Sequence, residues 1–500
     1  MVMMRPTTHE GYELLHEGVI ALSRVEANGM KVDVDYLNRA IVSCEEKRKR
    51  IRAKLQETKV WGIWRKRFGE RANLTSDAQL ASVLFEEMRI EPKEFTEKGR
   101  PSTDEGALEK LDLKFVKGYV LMKKYEKASG TYLKGIQREL MNGFIHPVFN
   151  LHTTQTYRSS SDTPNFQNMP VRNPMMAELI RNCFISRFGK RGVIVENDYK
   201  GLEVSISACY HLDPKFIRYI TDPAMDMHRD MAMQCFMLTP EDMKAKSGKN
   251  LRYGAKNMFV FPQFYGDFYP RCAQSLWDWV ERAQLTTAAG VPIREHLRAK
   301  GITRLGKCDP SEKPMPGTFE HHIKQVEDDF WNNRFGVYGK WKKTWWNEYL
   351  ENGGFDTHTG FRIEGVMDRN QVINYPVQGS AFHCLLWSLI RIQKILRKEK
   401  MRSVIAGQIH DSLIGDVHAD ELTDYLAIVK QVSEHDVRKH WDWISVPLTV
   451  ENEIVPLGES WFHKREVEFK DGIYTFKEGD NKLIFPDSQQ FLSALKRKAA

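Results

Sequence analysis

The stretch from Val193 to Ser205, V-I-V-E-N-D-Y-K-G-L-E-V-S, constrains this chain more than any other. Its β-branched start, Val193, Ile194 and Val195, has the propensity of a buried strand, and Gly201 breaks the run. Asp198 falls between them. A carboxylate at the end of a buried strand is unfavourable unless a cation or a hydrogen-bond donor meets it. Past the glycine, Leu202, Val204, Ile206 and Ala208 begin either a helix or a second strand.

A second acidic position stands in Val404 to Val417, V-I-A-G-Q-I-H-D-S-L-I-G-D-V. Two apolar runs flank Gln408, His410 and Asp411 as the strands of a hairpin would, which exposes Asp411 at the turn. An aspartate at a strand end is ordinarily a turn former or a helix cap. Two brought together can instead hold a pair of divalent cations. Magnesium favours one or two carboxylates plus phosphate oxygens, and paired metals clamp the attacking and leaving oxygens of an in-line phosphoryl transfer. Phosphoryl transfer is the chemistry these residues point to, provided the rest of the chain supplies its partners.

The rest of the chain is globular: 41% of its 500 residues are hydrophobic and 28% charged, with a net charge of +8. Basic residues gather at Glu45 to Lys54, Arg65 to Arg67, Lys394 to Lys400 and Lys496 to Lys498. That balance suits a polyanion, although each run alone also fits a solvated helix face. Seven scattered cysteines, with no C-x-x-C pair, predict a reducing compartment and exclude a zinc or disulfide framework. No secretory leader and no membrane-spanning apolar run is legible, so the expected location is cytoplasmic, with no membrane partner.

Taken in order, Gly11 to Val25 has helical spacing and Asn28-Gly29 signals a turn into a strand. Charged helices follow from Val34 to about Arg71, at Gln79 to Met88 after the Thr75-Ser76-Asp77 cap, and from Ala107 to Gly130: an all-helical, basic-faced module. Thr153 to Pro170, T-T-Q-T-Y-R-S-S-S-D-T-P-N-F-Q-N-M-P, has no periodicity, yet it concentrates hydroxyls and amides that can line phosphates and base edges. His228 stands near the front of a helix beginning around Asp222. In Leu251 to Gly266, L-R-Y-G-A-K-N-M-F-V-F-P-Q-F-Y-G, Arg252 and Lys256 lie one turn apart and present two cations to a triphosphate. The aromatics Phe259, Phe261, Phe264 and Tyr265 either stack on a base or pack in the core. Trp277 to about Trp346 reads as helical, interrupted at Pro314 to Gly317, and carries no legible chemistry. Gly353 to Gly365 reads as a hairpin, and Asn370 to about Lys400 as a helix on which Asn374 and Gln378, one turn apart, can read minor-groove acceptors. Beyond Trp461 the tail alternates like edge strands and ends in a basic helix, Phe491 to Lys498.

These blocks, in this order, resemble family A DNA polymerases, the DNA polymerase I type, and above all their phage members, from about Glu13 to Trp461. D-Y-K-G-L-E is similar to the family's D-Y-S-Q-I-E. The resemblance makes Asp198 a metal ligand, Tyr199 a ligand through its backbone carbonyl, and Glu203 the steric gate against ribonucleotides. His410, Asp411 and Ser412 stand where the family has H-D-E; Asp411 would be the second bridging carboxylate, and serine removes one negative charge. Arg252, Lys256, Phe261, Tyr265 and Gly266 match R-x-x-x-K-x-x-x-F-x-x-Y-G with one extra residue between Lys256 and Phe261. In a straight helix that swings Phe261 about 100° off the lysine face. A kink or π-bulge at this turn, next to Pro262, restores the register; otherwise Val260 and Phe264 take the two aromatic places.

The resemblance further implies that Arg252, Lys256 and His228 bind the triphosphate, that Lys256 protonates the leaving pyrophosphate, and that Phe261 stacks near the base. Arg158, Asn165, Gln167 and Asn168 would contact primer-template, as would Asn374, Gln378, Gln408 and His410. The cofactor would be Mg2+, two ions, and the partners a primed DNA template and deoxynucleoside triphosphates. The expected fold is α+β, a right hand whose palm is a small antiparallel sheet. Residues 1–45, 136–211 and 366–463 would form the palm, 46–135 a helical thumb with its tip at Thr96 to Gly106, 212–365 helical fingers, and 464–500 a C-terminal extension. The similarity begins almost at residue 1, so no N-terminal exonuclease-like domain and no proofreading are expected. The insertion at 276–321, or the tail, would dock a separate exonuclease or processivity subunit.

The function expected is template-directed DNA synthesis in phage replication, within the host cytoplasm. A single-subunit RNA polymerase or reverse transcriptase shares the two aspartates, but Glu203 argues against ribonucleotides. A catalytically silent DNA-binding scaffold would keep the basic cleft without keeping Asp198, Asp411, Arg252 and Lys256 together.

Overall fold

The β-branched run folds as the strand Gly192–Tyr199, buried along almost its whole length. The structure is a computed structural model describing residues 2–96, 98–479 and 481–495. Ser412–His418 pairs with this strand on one side and Val450–Ile454 on the other, both antiparallel. Asp198 lies opposite Ser412 in the first pairing and opposite Glu451 in the second. The predicted hairpin is present, its strands Val404–Ile409 and Ser412–His418 separated only by His410 and Asp411.

The sheet was expected to be small and has seven strands. The difference comes from the C-terminal tail. Arg465–Lys470, Ile473–Glu478 and Asn481–Phe485 add in sequence beyond Val450–Ile454, so the tail widens the sheet. Its inward residues Phe469, Tyr474 and Phe476 are buried, and Tyr474 stacks on Phe491 of the short helix Ser488–Ala494. The basic run Lys496 to Lys498 lies outside the described residues.

Gly201 turns the chain in the left-handed region, φ 58°, and leads into a helix, Leu202–His211, with Glu203 in its first turn. The other face of the sheet rests on the 30-residue helix Arg369–Lys398, where the Tyr199 hydroxyl meets Ser388 Oγ at 2.8 Å and donates to the Ser433 carbonyl at 3.1 Å. Helix His9–Asn28 packs along that long helix, and the N-terminal strand Met3–Pro6 pairs with the hairpin Gly354–Asp356 and Phe361–Glu364.

Residues from Leu55 to Met122 close a separate apolar core around the fully buried Trp64, Leu80 and Leu84. This is the helical module anticipated from the charged helices. In its tip loop, Glu97 lies outside the described residues. Between Trp277 and Trp346 helix is less continuous than expected. The chain leaves helix at Arg282, forms only the short Ile293–Ala299, and resumes at Phe319, because Gly290, Pro292, Gly301, Gly306, Pro310 and Pro314 break the periodicity. Among the described residues no helix is long and apolar enough to cross a membrane, and all seven cysteines are unpaired.

Candidate active site

The hairpin turn brings the two predicted carboxylates together. The Tyr199 N–H donates to the Asp411 carbonyl at 3.1 Å, so Asp411 sits directly beside the end of the Asp198 strand. The turn is closed by Ser412, whose buried hydroxyl donates to the Ile409 carbonyl at 2.9 Å. Burial pushes the Asp198 carboxyl up to about 7, with the Asp411 charge adding to it; burial likewise raises Asp411, against the opposing pull of Arg158. Burial disfavours the charged form of both carboxylates, Arg158 offsets this only in part and at Asp411, and a hard divalent cation would supply the remaining counter-charge. Among the described residues no group of three or more His, Cys, Asp or Glu side chains forms a metal cage. Two carboxylates fit magnesium, which completes its shell with water and phosphate oxygens.

Arg158 links this pair to the next carboxylate. Its guanidinium lies 3.7 Å from Asp411 and 3.5 Å from Glu203. The Tyr265 hydroxyl donates to the other Glu203 oxygen at 3.2 Å, and burial with the Glu203 charge pushes Tyr265 up to about 12. Glu203, Asp411, Phe261, Tyr265, Asn374 and Gln378 all line one cavity of about 440 Å³.

On the helical side, Asp226 caps helix Met227–Phe236 and accepts from Arg252 Nε at 2.6 Å. His228, on the first turn, has a buried Nδ1 without a hydrogen-bond partner, and burial together with Arg252 and Lys256 holds its ring down to about 4. It is neutral at pH 7. The extra residue after Lys256 is absorbed by a π-helical turn, Lys256–Val260, closed by the Phe261 N–H on the Lys256 carbonyl. The register is thereby restored: the Lys256 ammonium lies 5.1 Å from the Phe261 ring centre, and His228 meets the same ring edge-on. Val260, the alternative to Phe261, is fully buried; Phe264, the alternative to Tyr265, packs on Phe216 and Phe330, while the Tyr265 hydroxyl reaches Glu203.

The serine-rich loop is more ordered than its composition suggests. Gln408 Oε1 accepts from Ser159 Oγ at 2.6 Å and from Gln167 Nε2 at 2.7 Å, while Gln408 Nε2 donates to the His410 carbonyl at 2.6 Å. Both glutamines are buried, with their amides facing each other and the His410 turn, and Gln167 also borders the groove beside Asn168. Asn165 caps the turn Phe166–Asn168 through the Asn168 N–H at 3.2 Å. Asn168 and His410 border a groove of about 1080 Å³ between the helical module and the sheet, whose far wall carries Lys123, Lys124 and Lys127. Gln378 accepts from Thr156 Oγ1 at 3.3 Å. The sequence reading missed Asp226, legible only as a cap before M-H-R-D, and Arg181, Glu196 and Trp461, which meet through folding alone.

A family model for DNA polymerase family A matches residues 42–287 and 359–463. The chain belongs to DNA polymerase family A. Its similar proteins include the DNA polymerase of Bacillus phage SP01, 31% identical over 389 residues, covering 73% of this chain and 37% of that protein. DNA polymerase I of Lactococcus lactis subsp. cremoris is 26% identical over 448 residues, 89% of this chain and 45% of that protein. The thermostable DNA polymerase I of Thermus thermophilus is 26% identical over 458 residues, 89% of this chain and 47% of its own length. The chain thus spans less than half the length of these curated relatives. Among solved structures, the POL domain of Pol1 from M. smegmatis, in complex with DNA primer-template and dNTP, superposes with a TM-score of 0.66 at 22% identity, covering 89% of this chain and 70% of that one. That likeness establishes the right-hand fold of family A for this chain. Residues 288–358 fall outside both matched ranges.

Proposed function

We propose that this chain is a template-directed DNA polymerase that adds deoxynucleotides to a primer 3′-hydroxyl. The observation that carries the proposal is the Tyr199 to Asp411 backbone bond, which sets the Asp198 strand end beside Asp411 at the edge of a cavity that Asp411, Phe261 and Tyr265 line. Asp198, Asp411 and the Tyr199 carbonyl would hold two magnesium ions. When bound, such ions supply Lewis acidity to the hydroxyl and charge neutralisation to the phosphates.

The chain's own residues do the rest. Arg252, Lys256 and His228 bind the triphosphate, Arg252 exchanging Asp226 for phosphate. Lys256 gives its proton to the departing pyrophosphate. Phe261 stacks near the base, and Glu203, held by Arg158 and Tyr265, closes the space beside the sugar C2′. Closure of the helix bearing Arg252 and Lys256 excludes water. Asn168, His410, Asn374 and Gln378 touch primer-template directly. Gln408 and Gln167 act from beneath the His410 turn, and Asn165 sets the loop. The thumb corresponds to 46–135, the fingers to 212–365, the palm to 1–45, 136–211 and 366–463, and 464–500 to a C-terminal extension. Similarity to a phage polymerase supports a role in phage replication in a host cytoplasm. A separate exonuclease or processivity subunit would dock on the 276–321 insertion or the tail.

The test is primer extension with magnesium, comparing wild type with Asp198→Ala and Asp411→Ala. Extension lost in both variants with template binding retained supports the proposal. Template binding without any extension by wild type overturns it in favour of a silent scaffold.

A further inference from the structure

The row of the sheet that carries Asp198 holds a second carboxylate. Asp198 lies opposite Ser412 on one side and opposite Glu451 on the other. Directly opposite residues of an antiparallel pair point to the same face, with Cβ atoms about 5 Å apart. Ser412 gives its hydroxyl to the Ile409 carbonyl, so Glu451 is the charged residue that faces Asp198 across these strands. Two residues along, the same face shows how such a pair is accommodated. Glu196 stands opposite Glu453, and the Lys464 ammonium bridges them, donating to Glu196 at 2.6 Å and also to Glu453. Like charges directly opposite each other destabilise a sheet, and a shared cation offsets that repulsion. The Asp198–Glu451 pair has no protein cation between its members. Lys200 Nζ lies 2.9 Å from Glu451, while among the described residues no cationic side chain comes within 4 Å of Asp198. The Lys200 N–H is fixed on the Thr449 carbonyl at 2.9 Å, and its side chain is exposed.

We propose that Glu451 is a positioning residue for the divalent cation of Asp198, that its charge acts on the cation through the water magnesium keeps, and that Lys200 competes with the cation for this carboxylate. The inference rests on the polymerase reading above for the cation itself. Glu451 acts from outside the ligand set, since among the described residues no three His, Cys, Asp or Glu side chains come together as a cage. An exposed ion pair that only fastens the strand end behaves differently, because it loses the same contact whichever partner is removed. Competition gives the two removals opposite signs.

The experiment is titration of Mn2+ alone into the full metal-free chain, with free Mn2+ read by electron paramagnetic resonance, for wild type, Glu451→Gln, Lys200→Met and Glu453→Gln. Glu451→Gln should weaken Mn2+ binding about tenfold, the lower end for a group that acts from behind the ligands. Lys200→Met, which frees the same carboxylate, should tighten it about threefold, and both effects should shrink as salt rises from about 0.01 to 1 M. Glu453→Gln, one pair along the same strand, should leave it unchanged. Equal affinity in wild type and Glu451→Gln overturns the inference. So does weakening by both Glu451→Gln and Lys200→Met, which assigns the pair to structure alone, and so does equal weakening by Glu451→Gln and Glu453→Gln, which assigns the effect to net charge. Wild type that binds no Mn2+ overturns it as well. Where Glu451→Gln does not fold, Lys200→Met decides alone: tighter binding supports the inference, and unchanged or weaker binding overturns it. Primer extension in the same samples keeps the two ideas apart. Normal wild-type extension with an affinity that Glu451→Gln does not move fails the inference and leaves the polymerase; opposite signs in the two variants without any wild-type extension do the reverse.

Discussion

The Tyr265 hydroxyl donates to the Glu203 carboxylate at 3.2 Å, tying the end of the helix that carries Lys256 to the wall of the cavity that Asp411 lines. Glu203 also takes Arg158, so its position is fixed from two sides. Tyr265→Phe removes one charge-assisted bond, worth about 1.5–3 kcal/mol. It should lower discrimination between deoxy- and ribonucleotides by about tenfold, and Glu203→Ala by about a hundredfold, read as the ratio of kcat/KM values. An unchanged ratio in Glu203→Ala removes the steric gate from this side chain.

Asp198 is held up to about 7 by burial and by Asp411, so below that pH a divalent cation must displace a proton. The half-saturating magnesium concentration for extension should rise about tenfold per unit as pH falls from 7 to 5. Without cation the sign is the opposite for stability. The folded value lies above the ordinary 3.8, so the folded state binds the proton more tightly, and the stability this contributes is lost as pH rises through about 7. Asp198→Asn should therefore melt above wild type at pH 8 in chelator, with the gap narrowing as pH falls from about 7 towards 3.8 and closing below it, as followed by circular dichroism.

Lys256 touches the Phe261 ring and has no carboxylate partner within 4 Å among the described residues. Lys256→Met should lower the single-turnover rate of nucleotide addition by about a hundredfold, the lower end expected of a proton donor, with template affinity unchanged. Loss confined to KM would make it a binding cation only.

Trp461 is fully buried, stacks on Phe166 at 5.6 Å, carries the Arg181 guanidinium 4.0 Å from its ring centre, and donates its indole N–H to Glu196 at 3.0 Å. Trp461→Ala should cost about 3–5 kcal/mol in denaturant unfolding. Trp461→Phe should recover most of the packing and leave Glu196 with Lys464 as its remaining close donor.

Much of this was legible because the signals are local. The β-branched run leading to Asp198, the hairpin around Asp411 and the one-turn spacing of Arg252 and Lys256 each declare themselves within a dozen residues. The features that stayed hidden depend on contacts between distant segments. Gln167 and Gln408 look like surface amides in a polar loop and a turn, yet 241 residues apart they satisfy one another in the interior. Lys340, Lys342 and Lys343 look like a solvated helix face until Arg369 and Tyr265 are folded against them. The alternating tail announced strands but not their partner, because nothing local says that Val450–Ile454 leaves an edge open.

The π-helical turn at Lys256–Val260 lets this helix hold one residue more than the motif's spacing while Phe261 stays against Lys256. Sequence distance and spatial distance are thereby uncoupled at this one turn. Two chains can therefore share a pocket while disagreeing on the count of letters between its lysine and its aromatic ring, and a pattern of fixed spacing will pass over one of them.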